Sequence, residues 1–109
     1  MVEAAQVFRG MIERYPTSDK IDDAAFYLGE IHNLYLSGQK QLAAQWYERA
    51  LAWNPDTPHA ARFQAAVLYD HDLHDRDRAL ELYHAILDRG TAPNSSVRYS
   101  SRRVYELTQ

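Results

Sequence analysis

The densest group of potentially reactive side chains is the segment Asp70-His71-Asp72-Leu73-His74-Asp75. On a continuous helix His71 and His74 would be neighbours at i and i+3, and imidazole with carboxylate is a ligand set for zinc or nickel. The segment also falls where a turn between two helices is expected, and turns are rich in polar residues. Asp75 is predicted to cap the next helix. We therefore assign no metal and no cofactor, and a metal-dependent enzyme stays only as an alternative.

Other residues with catalytic potential lack the neighbouring groups that a reaction requires. His32 is predicted to lie inside a helix pair as a core or rim imidazole, whereas His59 and His84 are predicted to be exposed. Four serines, at positions 95, 96, 100 and 101, cluster near the C-terminus without a glycine-flanked nucleophile elbow. The sequence has no phosphate-binding glycine loop, no dinucleotide fingerprint and no cysteine. These patterns indicate that the chain is not an enzyme.

Composition excludes two further classes of function. The chain has 109 residues, 46% hydrophobic and 25% charged, which is typical of one folded domain. Its formal net charge of -3 provides no basic field for nucleic acid or an anionic membrane surface. No apolar run approaches the roughly 18 residues that a membrane-spanning helix needs, so membrane insertion is not expected.

The elements that position these side chains are all predicted to be helices. Helical periodicity, interrupted by proline and glycine, predicts six helices at about residues 2 to 15, 19 to 36, 39 to 53, 58 to 72, 76 to 89 and 95 to 108. Thr57 before Pro58 is expected to begin the fourth helix, Asn94 or Ser95 the sixth, and Gly90 to end the fifth. The short connections predict an all-α chain of antiparallel helix hairpins.

An internal repeat runs through alternate helices. A small residue, an aromatic one and an apolar or small one recur at the same offsets, as Ala4, Phe8 and Met11, then Ala43, Tyr47 and Ala50, then Ala79, Tyr83 and Ile86. Pro16 and Pro55 close the first two copies. The helices between them align as Ala25, Leu28, Gly29 and His32, then Arg62, Ala65, Ala66 and Tyr69, then Val97, Ser100, Ser101 and Val104. A glycine at position 29 would let the two helices of a hairpin approach closely, completed by an alanine of the facing helix.

These patterns resemble the tetratricopeptide repeat family, with Gly29 as the closest match. The steps between the aromatic residues, 39 from Phe8 to Tyr47 and 36 from Tyr47 to Tyr83, exceed the family period of about 34, and the family's first tryptophan is missing. The resemblance implies a right-handed superhelical stack within one domain, residues 1–109, of two hairpins flanked by a half repeat at each end. It also predicts a fragment of a larger chain.

The segment from Arg14 to Gly29 is similar to bacterial envelope proteins of the Tol-Pal-associated and outer-membrane-assembly lipoprotein type. That similarity leaves a bacterial periplasm or envelope and a cytoplasm both open as locations. In the family the first helix of each hairpin lines a concave groove that binds a protein or peptide. By position the resemblance places nine residues there, namely Phe26, Glu30, Asn33, Phe63, Val67, Asp70, Arg98, Arg102 and Tyr105.

Two interpretations of these residues remain open. Phe26 and Phe63 either anchor a bound peptide or pack between neighbouring hairpins. The chain either works as a peptide-binding scaffold or associates with itself through the unpaired first and sixth helices. The second alternative predicts a homo-oligomer.

Overall fold

The chain is all-α, as the sequence predicts. A computed structural model describes residues 2–15, 20–35, 38–57 and 60–109. In these ranges the helices are α1 (Val2–Arg14), α2 (Ile21–Leu34), α3 (Lys40–Trp53), α4 (Ala61–Val67), α5 (Arg76–Arg89) and α6 (Asn94–Leu107), and α4 continues into a π-helical turn at Leu68–Asp72. The helices group into two compact units, Met1–Ala61 and Arg62–Gln109.

The first unit is built on an antiparallel hairpin of α2 and α3. The amine of Lys40, where α3 begins, donates to the backbone oxygen of Asn33 near the end of α2, at 2.6 Å. The hairpin interior consists mostly of small residues, which allow two helices to pack closely. Its buried members are Ala24, Ala25, Leu28, Gly29, Ile31, Ala43, Ala44, Trp46, Tyr47 and Ala50.

Gly29 makes the close approach that the sequence predicts, but to a different partner. A Cβ atom at position 29 would lie 2.6 Å from Cε1 of Tyr47. The facing group is therefore the aromatic ring of the repeat and not an alanine. The ring occupies the space that a side chain at position 29 would take. Only glycine, which has no Cβ atom, is compatible with this packing.

The carboxylate of Asp22, which is buried, joins the start of α2 to the loop that follows α3. It accepts hydrogen bonds from the Thr57 hydroxyl at 2.7 Å and the Asn54 amide at 3.3 Å. Thr57 was expected to begin the fourth helix, and this prediction is wrong because α4 begins at Ala61. A buried carboxylate requires donors, and the hydroxyl serves Asp22 instead of a helix terminus.

The first helix packs on α2 through only one side. Ala5 and Ile12 are buried, and the ring of Phe8 stacks on Tyr27 with centroids 5.5 Å apart. The opposite side of α1 is exposed and carries Val7, whereas Met11 lies at the edge and lines a small pocket with Ile21 and Ala24 of α2. Pro16, Pro58 and His59, on which earlier expectations rested, lie outside the described residues.

The second unit consists of α4 with its π-helical turn, α5 and α6. Each of these segments contributes buried side chains, namely Ala65, Ala66, Leu68, Tyr69, Ala79, Leu82, Tyr83, Ile86 and Ser100. Tyr83 pairs with Tyr99 of α6 at 6.1 Å between ring centroids. Among the buried polar side-chain atoms described in this unit, only the Ser100 hydroxyl lacks a hydrogen-bond partner.

The turn between α4 and α5 carries the acidic and histidine-rich segment. The Leu73 amide donates to the carbonyl of Leu68, five residues earlier, which widens the helix into a π-turn. His74 follows in the left-handed region at φ 54°, and Asp75 then caps α5 by accepting from the Arg78 amide at 3.2 Å. The capping prediction for Asp75 is confirmed.

The ends of α5 and α6 test two more predictions. Gly90 ends α5 at φ 66°, in the left-handed region that glycine adopts most easily, as predicted. The capping prediction for Asn94 or Ser95 is wrong, because Pro93 precedes α6 and no side-chain cap bond is formed. Among the described residues, no helix is both long enough and apolar enough to cross a membrane.

Candidate interaction surface

The best-defined polar site lies in the second unit, around the carboxylate of Asp70. Arg103 of α6 forms a two-pronged ion pair with it, at 2.7 Å from Nε and 2.8 Å from Nη2. The Tyr83 hydroxyl donates to the same carboxylate at 2.9 Å. The Asp70 side chain is only 3% exposed, so both oxygens are enclosed by donors.

This environment fixes the charge of Asp70. Burial acts to raise its pKa, but the hydrogen bonds from Arg103 and Tyr83, with a smaller effect of His71, outweigh burial and leave the pKa below its ordinary value. The pKa of Arg103 is raised in return, mainly by its hydrogen bond to Asp70. A low-pKa carboxylate whose oxygens are already paired is a poor base and a poor metal ligand. We interpret Asp70 as the anchor that holds α6 on the rest of the unit.

Tyr99 is the aromatic centre of the same surface. Its ring meets Phe63 edge-on at 5.6 Å between centroids, and its hydroxyl lies 2.5 Å from Nε2 of His71. The guanidinium of Arg102 lies over the ring, 5.5 Å from its centroid. Contacts on several sides hold the ring in one orientation, and Tyr99 in turn supports the cation above it.

The outer side of α6 is cationic and aromatic. Arg98, Arg102 and Tyr105 are all exposed, and the Arg102 side chain is 67% exposed. Arg102 also lies 3.5 Å from Glu106, an exposed pair one helical turn away that contributes little stability. This side of α6, together with Tyr99, is called the α6 face below.

Three predicted site residues lie in the first unit, and all of them contact Tyr47. The Tyr47 hydroxyl donates to Glu30 at 2.5 Å, and the Asn33 amide donates to that hydroxyl at 3.4 Å. The ring of Phe26 lies 5.6 Å from that of Tyr47. Burial, followed by the hydrogen bond to Glu30, raises the pKa of Tyr47, so the hydroxyl stays a donor.

The nine predicted site residues therefore form two groups with different surroundings. Glu30 and Asn33 are engaged inside the first hairpin, and Asp70 is engaged with Arg103. Phe26 packs on Tyr47, Phe63 packs on Tyr99, and Val67 is half-buried. The exposed members are Arg98, Arg102 and Tyr105, which share the α6 face.

Sequence reasoning missed Tyr99 and Arg103, the residues that organise the second unit. They are four residues apart on α6, so they lie on one side of the helix, next to the buried Ser100. The spacing was visible in the sequence. Because arginine is rarely buried without a partner, only the contact with Asp70 shows that Arg103 points inward and Arg102 outward.

The acidic and histidine-rich segment does not converge on one point. His71 contacts Tyr99, His74 is exposed, and Asp75 is used as a cap. In the part of the chain that the structure describes, no group of three or more histidine, aspartate or glutamate side chains is placed to hold a metal ion.

His32 is buried in the first unit, as the sequence predicts. Its Nδ1 pairs with the Gln39 side chain, and its Nε2 lies 3.5 Å from Arg9. Burial lowers the pKa of His32; the Gln39 bond acts in the opposite direction and the charge of Arg9 in the same one. The imidazole is therefore neutral near pH 7. His84 is exposed, as the sequence predicts.

No protein-family model, characterised protein or solved structure matches the chain.

Proposed function

We propose that the chain is a protein-interaction module that binds an acidic peptide segment of a partner on the α6 face. The observation that carries the proposal is Arg102, an exposed cation supported by the fixed ring of Tyr99. Arginine and tyrosine are the residue types that most often dominate binding energy at protein interfaces. Arg98 and Tyr105 extend the same exposed surface along the helix.

The chemistry of the face selects the partner. Two exposed arginines beside aromatic rings favour carboxylates, with which guanidinium forms two-pronged hydrogen bonds. The acidic residues that the resemblance assigned to a groove, Glu30 and Asp70, already have internal partners. We therefore retain Arg98 and Arg102 of the predicted site as binding residues and assign Glu30 and Asp70 to the stability of the fold. It includes no chemical reaction.

A tetratricopeptide-like arrangement is part of this proposal, and two relationships support it. The aromatic hydroxyls of Tyr47 and Tyr83 meet equivalent positions of the preceding helix, Asn33 and Asp70, each four residues after the aligned Gly29 and Ala66. Within the second unit, Phe63 pairs with Tyr99 and Asp70 with Arg103, so the fourth helical segment and α6 run in the same direction. First helices of successive hairpins run in this way in stacked repeats.

The test is selection of 12-residue peptides from a random display library, followed by calorimetry with the selected peptides. We expect acidic residues to be enriched and affinities to be micromolar. Arg102→Glu should weaken binding about tenfold or more, because a cation is replaced by a like charge. Arg76→Glu, the same reversal at an exposed residue of α5, is the matched control and should leave affinity unchanged. Selected peptides without acidic residues, or binding insensitive to Arg102→Glu, would contradict the proposal.

A further inference from the structure

The outer side of α1 is exposed, with an apolar centre at Val7 and Gly10 flanked by the charged residues Glu3 and Arg14. Val7 is 62% exposed, Met11 38% and Tyr15 63%. These side chains line an open groove of about 480 Å³ along one helix, whose lining residues are Glu3, Gln6, Val7, Gly10, Met11, Arg14 and Tyr15.

Gly10, in the middle of this side, is not required by any packing contact within the described parts of the chain. A Cβ atom there would meet nothing within 4 Å. Glycine inside a helix nevertheless costs about 1 kcal/mol of helix stability relative to alanine. The residue leaves a notch in the exposed side of α1, into which a side chain of another helix can fit.

The residues around the notch are complementary to themselves. Glu3, Val7, Gly10 and Arg14 are spaced by four, three and four residues, so they lie along one side of α1. If a second α1 runs antiparallel across this side, Val7 of each copy faces the Gly10 notch of the other. In the same register Glu3 of each copy faces Arg14 of the other. Two apolar contacts and two ion pairs form together.

We propose that two copies of the chain dimerise through antiparallel packing of their α1 helices, with each Val7 in the other's Gly10 notch. A second copy is the occupant because acidic Glu3 and basic Arg14 lie at opposite ends of the apolar side, so the surface carries the charges that pair with its own image. The contact is two-fold and closes on itself, the commonest symmetry of soluble oligomers. It goes beyond the proposed peptide binding, which uses α6.

Sedimentation velocity of the chain from about 1 to about 200 μM tests dimerisation, since one helix pair is a small interface and a micromolar Kd is expected. We expect the mass to rise from 12.6 kDa to twice that value with concentration. A chain that stays monomeric throughout overturns the proposal and would point to a different partner for this surface.

Charge reversal tests the register. Glu3→Arg and Arg14→Glu each place two like-charged pairs across the two-fold axis, and each should raise the dimer Kd about tenfold. Combining them restores opposite charges and should restore most of the affinity, which a merely unfolded α1 would not do. Asp88→Arg, a reversal at an exposed residue of α5, is the control and should leave the Kd unchanged. A dimer insensitive to both single reversals overturns the proposal.

Filling the notch tests the apolar contact separately. Gly10→Leu puts a side chain where the monomer has open space, so helix content by circular dichroism should not fall. The dimer Kd should rise about tenfold or more, because two leucines would collide with the facing Val7 side chains. Unchanged dimerisation in this variant overturns the proposed register. Peptide binding at the α6 face is a separate measurement, so failure of either proposal is recognised independently.

Discussion

The ring of Tyr47 lies flat against Gly29, so closely that a Cβ atom at residue 29 would be 2.6 Å from its Cε1 atom. Tyr47 is fully buried there and its hydroxyl is bonded to Glu30. The contact fixes both the distance between α2 and α3 and the position of the Glu30 side chain. A single glycine therefore affects both the packing of the two helices and the position of a carboxylate.

Gly29→Ala should lower the free energy of unfolding of the first unit by about 2 kcal/mol, because the buried ring cannot move away from the added methyl group without disturbing the hairpin. Gly10→Ala is the control and should raise it by about 0.5–1 kcal/mol, since alanine there meets open space. Urea unfolding followed by tryptophan fluorescence, at concentrations that keep the chain monomeric, measures both. The chain's two tryptophans, Trp46 and Trp53, lie in α3 and report this unit. Equal effects of the two substitutions would contradict the argument.

Two neighbouring arginines of α6 should behave oppositely. Arg103→Ala leaves the buried carboxylate of Asp70 without its cation and should cost about 3 kcal/mol of unfolding free energy in the second unit. Arg102→Ala removes an exposed side chain and should change stability by less than about 0.5 kcal/mol, while weakening peptide binding. Urea unfolding monitored by circular dichroism compares the two. If Arg103→Ala is as stable as wild type, the ion pair is not the anchor of α6.

Stability of the first unit should fall as pH drops below about 6.5 because of His32. Its pKa is lowered in the folded state, mainly by burial, whereas the unfolded chain takes up a proton near the ordinary value of 6.5. As pH falls below 6.5 the unfolded state binds more protons, so the free energy of unfolding decreases until pH reaches the lowered pKa. Urea unfolding by tryptophan fluorescence at several pH values measures this slope.

His32→Gln is the control for this pH dependence, because glutamine does not titrate. The decrease in the free energy of unfolding below pH 6.5 should be smaller in this variant than in the wild type. A slope that is the same in both proteins would assign the pH dependence to other groups.

Ser100→Ala should stabilise the second unit by about 1 kcal/mol. The hydroxyl is fully buried and has no hydrogen-bond partner, so its removal relieves an unsatisfied polar group without leaving a large cavity. Thermal unfolding followed by circular dichroism detects the change. Ser101→Ala, next to it but exposed, should shift the midpoint much less. A loss of stability in Ser100→Ala would indicate that the hydroxyl has a partner.

Local features of the structure were predictable from sequence because their causes are local. The six helices follow from periodicity and from proline and glycine between them, and the Asp75 cap and the Gly90 terminus follow from the chemistry of single positions. Gly29 was also predicted as a point of close approach, since a glycine inside a helix requires a packing reason. What the sequence did not identify was its partner, which comes from the facing helix, 18 residues further along.

The sequence by itself determined where the helices lie and which of their sides are small or apolar. The tertiary structure decided which polar side chains form internal contacts. Ion pairs such as Asp70 with Arg103 join residues 33 positions apart, so they depend on how the helices pack. Thr57 does not begin a helix but donates a hydrogen bond to the buried carboxylate of Asp22. Arg103 pairs with Asp70, whereas the neighbouring Arg102 is exposed. Periodicity predicts the side of a helix on which a residue lies. Only packing decides which charged side chain forms an internal ion pair and which stays exposed.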